Sequence, residues 1–152
     1  SALSRPAVKK ILPLDYERQG RKSVGKNKGF VFMSYKKSKL SHFQIKILNS
    51  YFNHLKTKIN LDGVLLFGSY AYGRPDKNSD VDLVILSKDF QEMPFGKRLE
   101  FLSLMRRGVA EDLAMDVVGY TSTELRNADK ESSILSFAKK HGAWLLKPSD
   151  AL

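Results

Sequence analysis

Four short apolar runs constrain this chain more than any other feature: residues 64–67 (Val-Leu-Leu-Phe), 81–86 (Val-Asp-Leu-Val-Ile-Leu), 113–119 and 143–146. They are too short for buried helices and rich in Val, Leu and Ile, the pattern of strands inside a sheet. Between them the period changes. Leu40, Phe43, Ile47, Tyr51 and Leu55 recur at steps of three and four, as do Phe95, Leu99, Leu102, Met105 and Val109. That is the spacing of one helical face. A chain that alternates such segments buries its apolar surface as a sheet covered by helices.

Local signals set the expected boundaries. Ser41 and Gln44 have the spacing of a capping box, with Leu40 and Ile45 flanking it as a staple, so the first helix is expected from Ser41 to about residues 59–60. Residues 69–73 read as a turn or brief helix, and 74–79 as a polar loop with Pro75 and Asn78. Thr121 and Glu124 form a second capping box. A last helix over about 130–141 would carry Lys139, Lys140 and His141 in its final turn and stop at Gly142 in the left-handed conformation. Residues 29–35 read as a short strand or as a segment pressed on the core. The expected class is α/β (α+β): a small mixed β-sheet of about four strands with helices packed on it.

The length of 152 residues suggests one domain. Charge divides it. Residues 1–60 hold 14 Lys/Arg against 2 Asp/Glu, and residues 61–152 hold 12 against 14, which together give the net +10. The expected organisation is therefore a basic arm over 1–39, with one short element near Ile11, and a folded domain over 40–152. Such an arm either contacts an anionic partner or is a solvated basic stretch. Cysteine is absent, which excludes disulfides, thiolate nucleophiles and Cys-ligated zinc. No apolar run approaches the ~20 residues needed to span a bilayer, and the opening lacks an apolar signal region. A cytoplasmic protein without membrane contact is expected.

Chemistry concentrates around residues 66–86. Asp80 and Asp82 lie two apart where an apolar strand opens, so they project from one face while Val81, Leu83 and Ile85 cover the other. Two carboxylates side by side at ~4 Å repel by roughly 4 kcal/mol at an effective dielectric near 20. Either one takes a proton or a cation sits between them. A hard divalent cation with oxygen ligands resolves this, and in nucleotide sites Mg²⁺ uses one or two carboxylates plus phosphate oxygens. Asp116 is a third carboxylate in an apolar strand, where a bare charge is costly. Gly68 and Ser69 end the preceding strand. A glycine there lets a phosphate approach the backbone, and the N–H groups of the turn with the Ser69 hydroxyl can donate to it.

Gly68-Ser69, ten residues, Asp80-x-Asp82 and a later strand Asp116 resemble the DNA polymerase beta-like nucleotidyltransferase superfamily. The stretch Leu65-Leu66-Phe67-Gly68-Ser69-Tyr70-Ala71-Tyr72-Gly73, followed by Asn78-Ser79-Asp80-Val81-Asp82-Leu83, looks closest to its minimal, antitoxin-type group. The likeness runs from about Leu40 to Leu146. That group often has Arg where this chain has Tyr72, and Arg74 stands two residues on.

The resemblance implies transfer of a nucleoside monophosphate, AMP in the first instance, from a nucleoside triphosphate (ATP) to a hydroxyl acceptor, with release of pyrophosphate. It implies two Mg²⁺ or Mn²⁺ ions on Asp80, Asp82 and Asp116, with Gly68 and Ser69 on the β/γ-phosphates. Tyr72, Arg74 and Ser79 are candidate phosphate or partner contacts. It also allows an antitoxin-type binding module for a HEPN (nuclease-like) protein, and the small size leaves room for that partner or a homodimer to complete the acceptor pocket. A third reading is nucleic-acid binding through residues 1–39. His42, His54 and His141 have no metal-ligand spacing, and no Gly-x-Ser-x-Gly elbow is present. Tyr35, Tyr51, Phe52 and Trp144 read as packing residues.

Overall fold

Ser41 opens the first helix as its spacing predicts. Its hydroxyl accepts the Gln44 N–H and the Gln44 side chain accepts the Ser41 N–H, satisfying two of the donors that a helix start leaves unpaired. The structure, a computed structural model, describes residues 33–130 and 132–149. The expected element near Ile11 and residues 29–32 of the 29–35 segment lie outside them.

In chain order the elements are α1 (His42–Lys56), β1 (Gly63–Phe67), α2 (Ser69–Tyr72), β2 (Val81–Leu86), a 3₁₀ turn (Lys88–Phe90), α3 (Phe95–Leu104), β3 (Met115–Tyr120), α4 (Ser122–Arg126), a 3₁₀ turn (Ala128–Lys130), α5 (Ser133–His141) and β4 (Ala143–Leu146). The four strands form one mixed sheet in the order β3-β2-β1-β4. β1 runs antiparallel to both β2 and β4, and β2 runs parallel to β3 through the α3 crossover.

Period-two alternation gives the sheet two covered faces. Val64, Leu66, Val81, Leu83 and Ile85 pack with Leu48, Tyr51, Phe52 and Leu55 of α1 and Leu102 of α3. Leu65, Val84 and Leu86 pack with Leu125 of α4 and Ala138 of α5, joined by Val118, Leu135 and Trp144. Tyr51, Phe52 and Trp144 are packing residues, as expected. The expected fold class holds: a four-strand mixed sheet with helices on it. Among the described residues no helix is long and apolar enough to cross a membrane.

Several expected details are corrected. α1 stops at Lys56, where Thr57 caps it and its hydroxyl bonds the His54 carbonyl at 2.7 Å. Its buried face is Leu48, Tyr51, Phe52, His54 and Leu55, and Phe43 is exposed. Phe43 lies five residues before Leu48, about 140° around the helix at 3.6 residues per turn. Of the two forms expected for residues 29–35, the described residues 33–35 take the second, a segment pressed on the core. Met33 and Tyr35 press on the core and the Ser34 N–H donates to Leu145 O at 2.7 Å. α5 starts at Ser133, capped by the Ser132 hydroxyl, rather than at residue 130. Gly142 ends α5 in an extended conformation, φ −69° and ψ 171°, not a left-handed one. What demands glycine there is space: a β-carbon would meet Ala138 O at 2.5 Å and Leu66 O at 2.7 Å.

Candidate active site

The register of the sheet assembles the acidic residues. Asp82 lies directly beside Asp116 in the parallel β2–β3 pair, so both project to the same side of the sheet. That side also carries Val84 and Leu86, the face covered by α4 and α5. Adjacent strands lie about 4.8 Å apart, which brings the two carboxyl-bearing positions together. Asp80 precedes β2 and is exposed; the ladder begins at Val81, whose N–H donates to Ala114 O at 2.9 Å. Asp82 is half-buried. Its pKa is pushed up from 3.8 to about 6, first by burial, then by Asp116, then by Asp80. The three aspartates therefore share one electrostatic neighbourhood.

Across the sheet, Asp82 is also the register partner of Phe67, the last residue of β1. The next residue, Gly68, turns the chain with φ +70° and ψ −154°, a conformation that disfavours every residue with a β-carbon. A β-carbon on Gly68 would stand 2.1 Å from Asp82 Oδ2. The glycine is thus required twice, by its backbone angle and by the carboxylate lying against it. Ser69 opens α2, whose bonds begin with Ala71 N–H and Tyr72 N–H donating to Gly68 O, both at 3.0 Å. The N–H groups of Ser69 and Tyr70 precede those bonds and are the donors a helix start leaves outside its own ladder.

The other candidates are distributed as follows. The Tyr72 ring meets Phe137 edge-on at 5.0 Å. Arg74 is exposed in the loop after α2. The Ser79 hydroxyl lies within the loop's own turn, accepting the Asp76 N–H at 2.9 Å, with the Asp76 carboxylate 3.3 Å away. Lys39 does not stand out in the sequence, where it is one lysine of a basic stretch. Its backbone N–H donates to Tyr70 O at 2.8 Å and its ammonium donates to Gly73 O, which brings a cation to the turn that follows Gly68. No spacing rule links Lys39 to a turn more than thirty residues away; only packing shows it.

Among the described residues, no set of three or more His, Cys, Asp or Glu side chains is grouped so as to hold a metal ion. Protein side chains alone do not complete a coordination shell here. The donor chemistry is all carboxylate oxygen, and burial together with the neighbouring carboxylates raises Asp82. This suits a hard cation that takes its remaining ligands from phosphate and water. Geometrically the site is a half-buried Asp82 with the glycine turn packed on it and two exposed carboxylates at its side, Asp116 in register and Asp80 two residues earlier. An arrangement of this kind presents carboxylate oxygens to a cation and turn N–H groups to an anion.

Comparison with known proteins bears on the family of the chain. Residues 30–145 match the model of the nucleotidyltransferase domain family. A 52-residue segment is 48% identical to "Putative protein adenylyltransferase MJ0141" of Methanocaldococcus jannaschii, covering 33% of this chain and 50% of that protein. The match thus spans only half of that relative's length. The fold resembles the crystal structure of a "putative nucleotidyltransferase from Sulfolobus solfataricus", at 23% identity and a TM-score of 0.50 over 68% of this chain and 79% of that one. With most of its length matched by the family model, and the glycine turn and acidic strands falling inside that match, this chain belongs to the nucleotidyltransferase domain family.

Proposed function

We propose that the chain transfers AMP from ATP to a hydroxyl group on a protein acceptor, releasing pyrophosphate. The observation that carries this is the seating of the Gly68 turn on the Asp82 carboxylate, with Asp116 in register beside it. That contact supports the reading, since phosphoryl chemistry requires a turn with backbone donors set against an acidic face. The choice of AMP and of a protein acceptor follows the name of the Methanocaldococcus relative.

In this reading the Ser69 and Tyr70 N–H groups and the Ser69 hydroxyl hold the β- and γ-phosphates. Lys39, beside Gly73, adds positive charge next to them. Asp80, Asp82 and Asp116 would hold two Mg²⁺ or Mn²⁺ ions together with phosphate oxygens, and these supply the positive charge that stabilises attacking and leaving oxygens. Asp116 orients the acceptor hydroxyl and takes its proton as the oxygen bonds to the α-phosphorus. The bond from that phosphorus to the bridging oxygen breaks, and pyrophosphate departs with the electron pair. The protein's contribution is largely positioning and electrostatics.

The test is transfer of α-labelled ATP to protein in a cell extract, with pyrophosphate release followed in parallel. Wild-type chain should label a protein band. Asp80→Asn and Asp82→Asn should abolish labelling while each variant stays folded by circular dichroism. Undiminished labelling in either would sink the proposal.

A further inference from the structure

Phe137 and His141 stand four residues apart on α5, so they share one helical face, and their rings lie 4.3 Å apart. Phe137 is 50% exposed although α5 buries Ala138 in the core. Tyr72, at the end of α2, is 39% exposed and meets Phe137 at 5.0 Å with the rings inclined by 70°. Three rings from two separate elements thus form one solvent-facing aromatic surface.

That surface is tied to the candidate site by direct contacts. The Tyr72 N–H donates to Gly68 O, and Gly68 lies against Asp82. α5 packs through Ala138 on the sheet face that carries Leu65 and Val84, the same side to which Asp82 projects. The helix then ends at Gly142, against the Leu66 carbonyl at the end of β1 from which the Gly68 turn departs. The rings therefore flank the turn at the acidic end of the sheet. From Phe137 and His141 a groove of about 550 Å³ continues past Asp129, Ser132, Ser133, Ser136 and Lys140. Asp129 there is hydrogen-bonded by Ser136 and paired with Lys139, which leaves the Ser133 hydroxyl and the Lys140 cation beside the aromatic wall.

We infer that Tyr72 and Phe137, backed by His141, are the platform on which the base of the bound nucleotide stacks; this rests on the nucleotidyl-transfer reading above. Every nucleobase presents a π-face, so such a platform holds bases with little regard to their hydrogen-bonding edges. The larger ring system of a purine covers more of it than a pyrimidine does. A base on these rings would be joined through its ribose to phosphates on the turn that Tyr72 terminates.

The experiment is calorimetric titration of the full chain, in Mg²⁺, with ATP and separately with inorganic tripolyphosphate, which has no base. Wild type should bind ATP more tightly than tripolyphosphate. Phe137→Ala and Tyr72→Ala should each weaken ATP by about 5- to 100-fold, the range of a lost base–aromatic stack, and leave tripolyphosphate within twofold. Phe137→Trp should restore ATP binding, which a merely structural role for the ring would not produce. If both alanine variants bind ATP like wild type, the platform is refuted while the phosphate site survives. The platform is equally refuted if wild type binds the two ligands alike, or if the substitutions alter only self-association or protein capture. If wild type binds neither ligand, both this inference and the nucleotidyl-transfer reading fail.

Discussion

Gly68 lies so close to the Asp82 carboxylate that a single added methyl group would stand 2.1 Å from its Oδ2 atom. Because the obstructing atom is the end of a side chain, a substituted chain relieves the clash by swinging the carboxylate away. Gly68→Ala is therefore expected to cost only about 1–2 kcal/mol of stability, chiefly from the positive φ. Nucleotidyl transfer should fall far more, by about 100-fold, the scale of a small misplacement at the reacting centre, since the displaced group is the one on which the proposed site is built. Thermal denaturation beside a transfer assay separates the two effects; equal modest losses in both would contradict the argument.

The burial of Asp82, with Asp116 and Asp80 beside it, predicts an inverted pH dependence. Its folded pKa of about 6 lies above its ordinary value of 3.8. The folded state thus holds a proton that the unfolded chain has released, and stability falls as pH rises from about 4 through 6. Asp82→Asn removes that penalty. At pH 7 it should raise stability by about 1 kcal/mol after allowance for solvent screening, or about 2–4 °C in Tm, and flatten the pH 4–6 slope. Stabilisation of wild type by Mg²⁺ should be larger at pH 7.5 than at pH 5, where the proton competes with the ion. Melting curves at the two pH values, with and without Mg²⁺, measure this.

Arg98 and Glu124 form a bidentate pair in which Arg98 is almost wholly buried and Glu124 is partly solvated. Arg98 also donates to Met93 O and Gly119 O, tying α3 to the end of β3. The Arg98 hydrogen bonds hold the Glu124 carboxyl below its usual range. The pair therefore stabilises the fold above the ordinary Glu value and loses that contribution as pH falls through the folded one. Glu124→Gln keeps an acceptor for the Thr121 N–H but leaves the buried guanidinium without its counter-charge. We expect a loss of about 1–3 kcal/mol at pH 7 that shrinks toward pH 3. Urea denaturation at both pH values tests it.

Gly142 joins α5 to β4 where there is no room for a side chain: a β-carbon added there would stand 2.5 and 2.7 Å from backbone oxygens and 2.9 Å from Leu65 Cδ1. Backbone cannot swing aside as the Asp82 carboxylate can. Gly142→Ala should cost about 1–3 kcal/mol by forcing helix and strand apart. If the rings on α5 hold the base, ATP affinity should fall with it. Urea denaturation and ATP titration of the same variant give both numbers.

Much of this architecture was legible because it depends on neighbours in the chain. Residues 81–86 and 143–146 coincide with β2 and β4, both capping boxes form, and Val81, Leu83 and Ile85 face away from Asp82 because alternation is a property of any strand. The Gly68-Ser69 and Asp80-x-Asp82 spacing also suffices to indicate the family. Other properties come only from packing between distant segments. The parallel register that sets Asp116 beside Asp82, the arrival of Lys39 at Gly73, the meeting of Tyr72 with Phe137 and the absence of space at Gly142 all join residues with no common period. Local pattern dictates which elements form and which way their side chains alternate. The alignment of one element against another is decided by how a particular set of side chains fills a common core, and a one-dimensional pattern does not encode that filling.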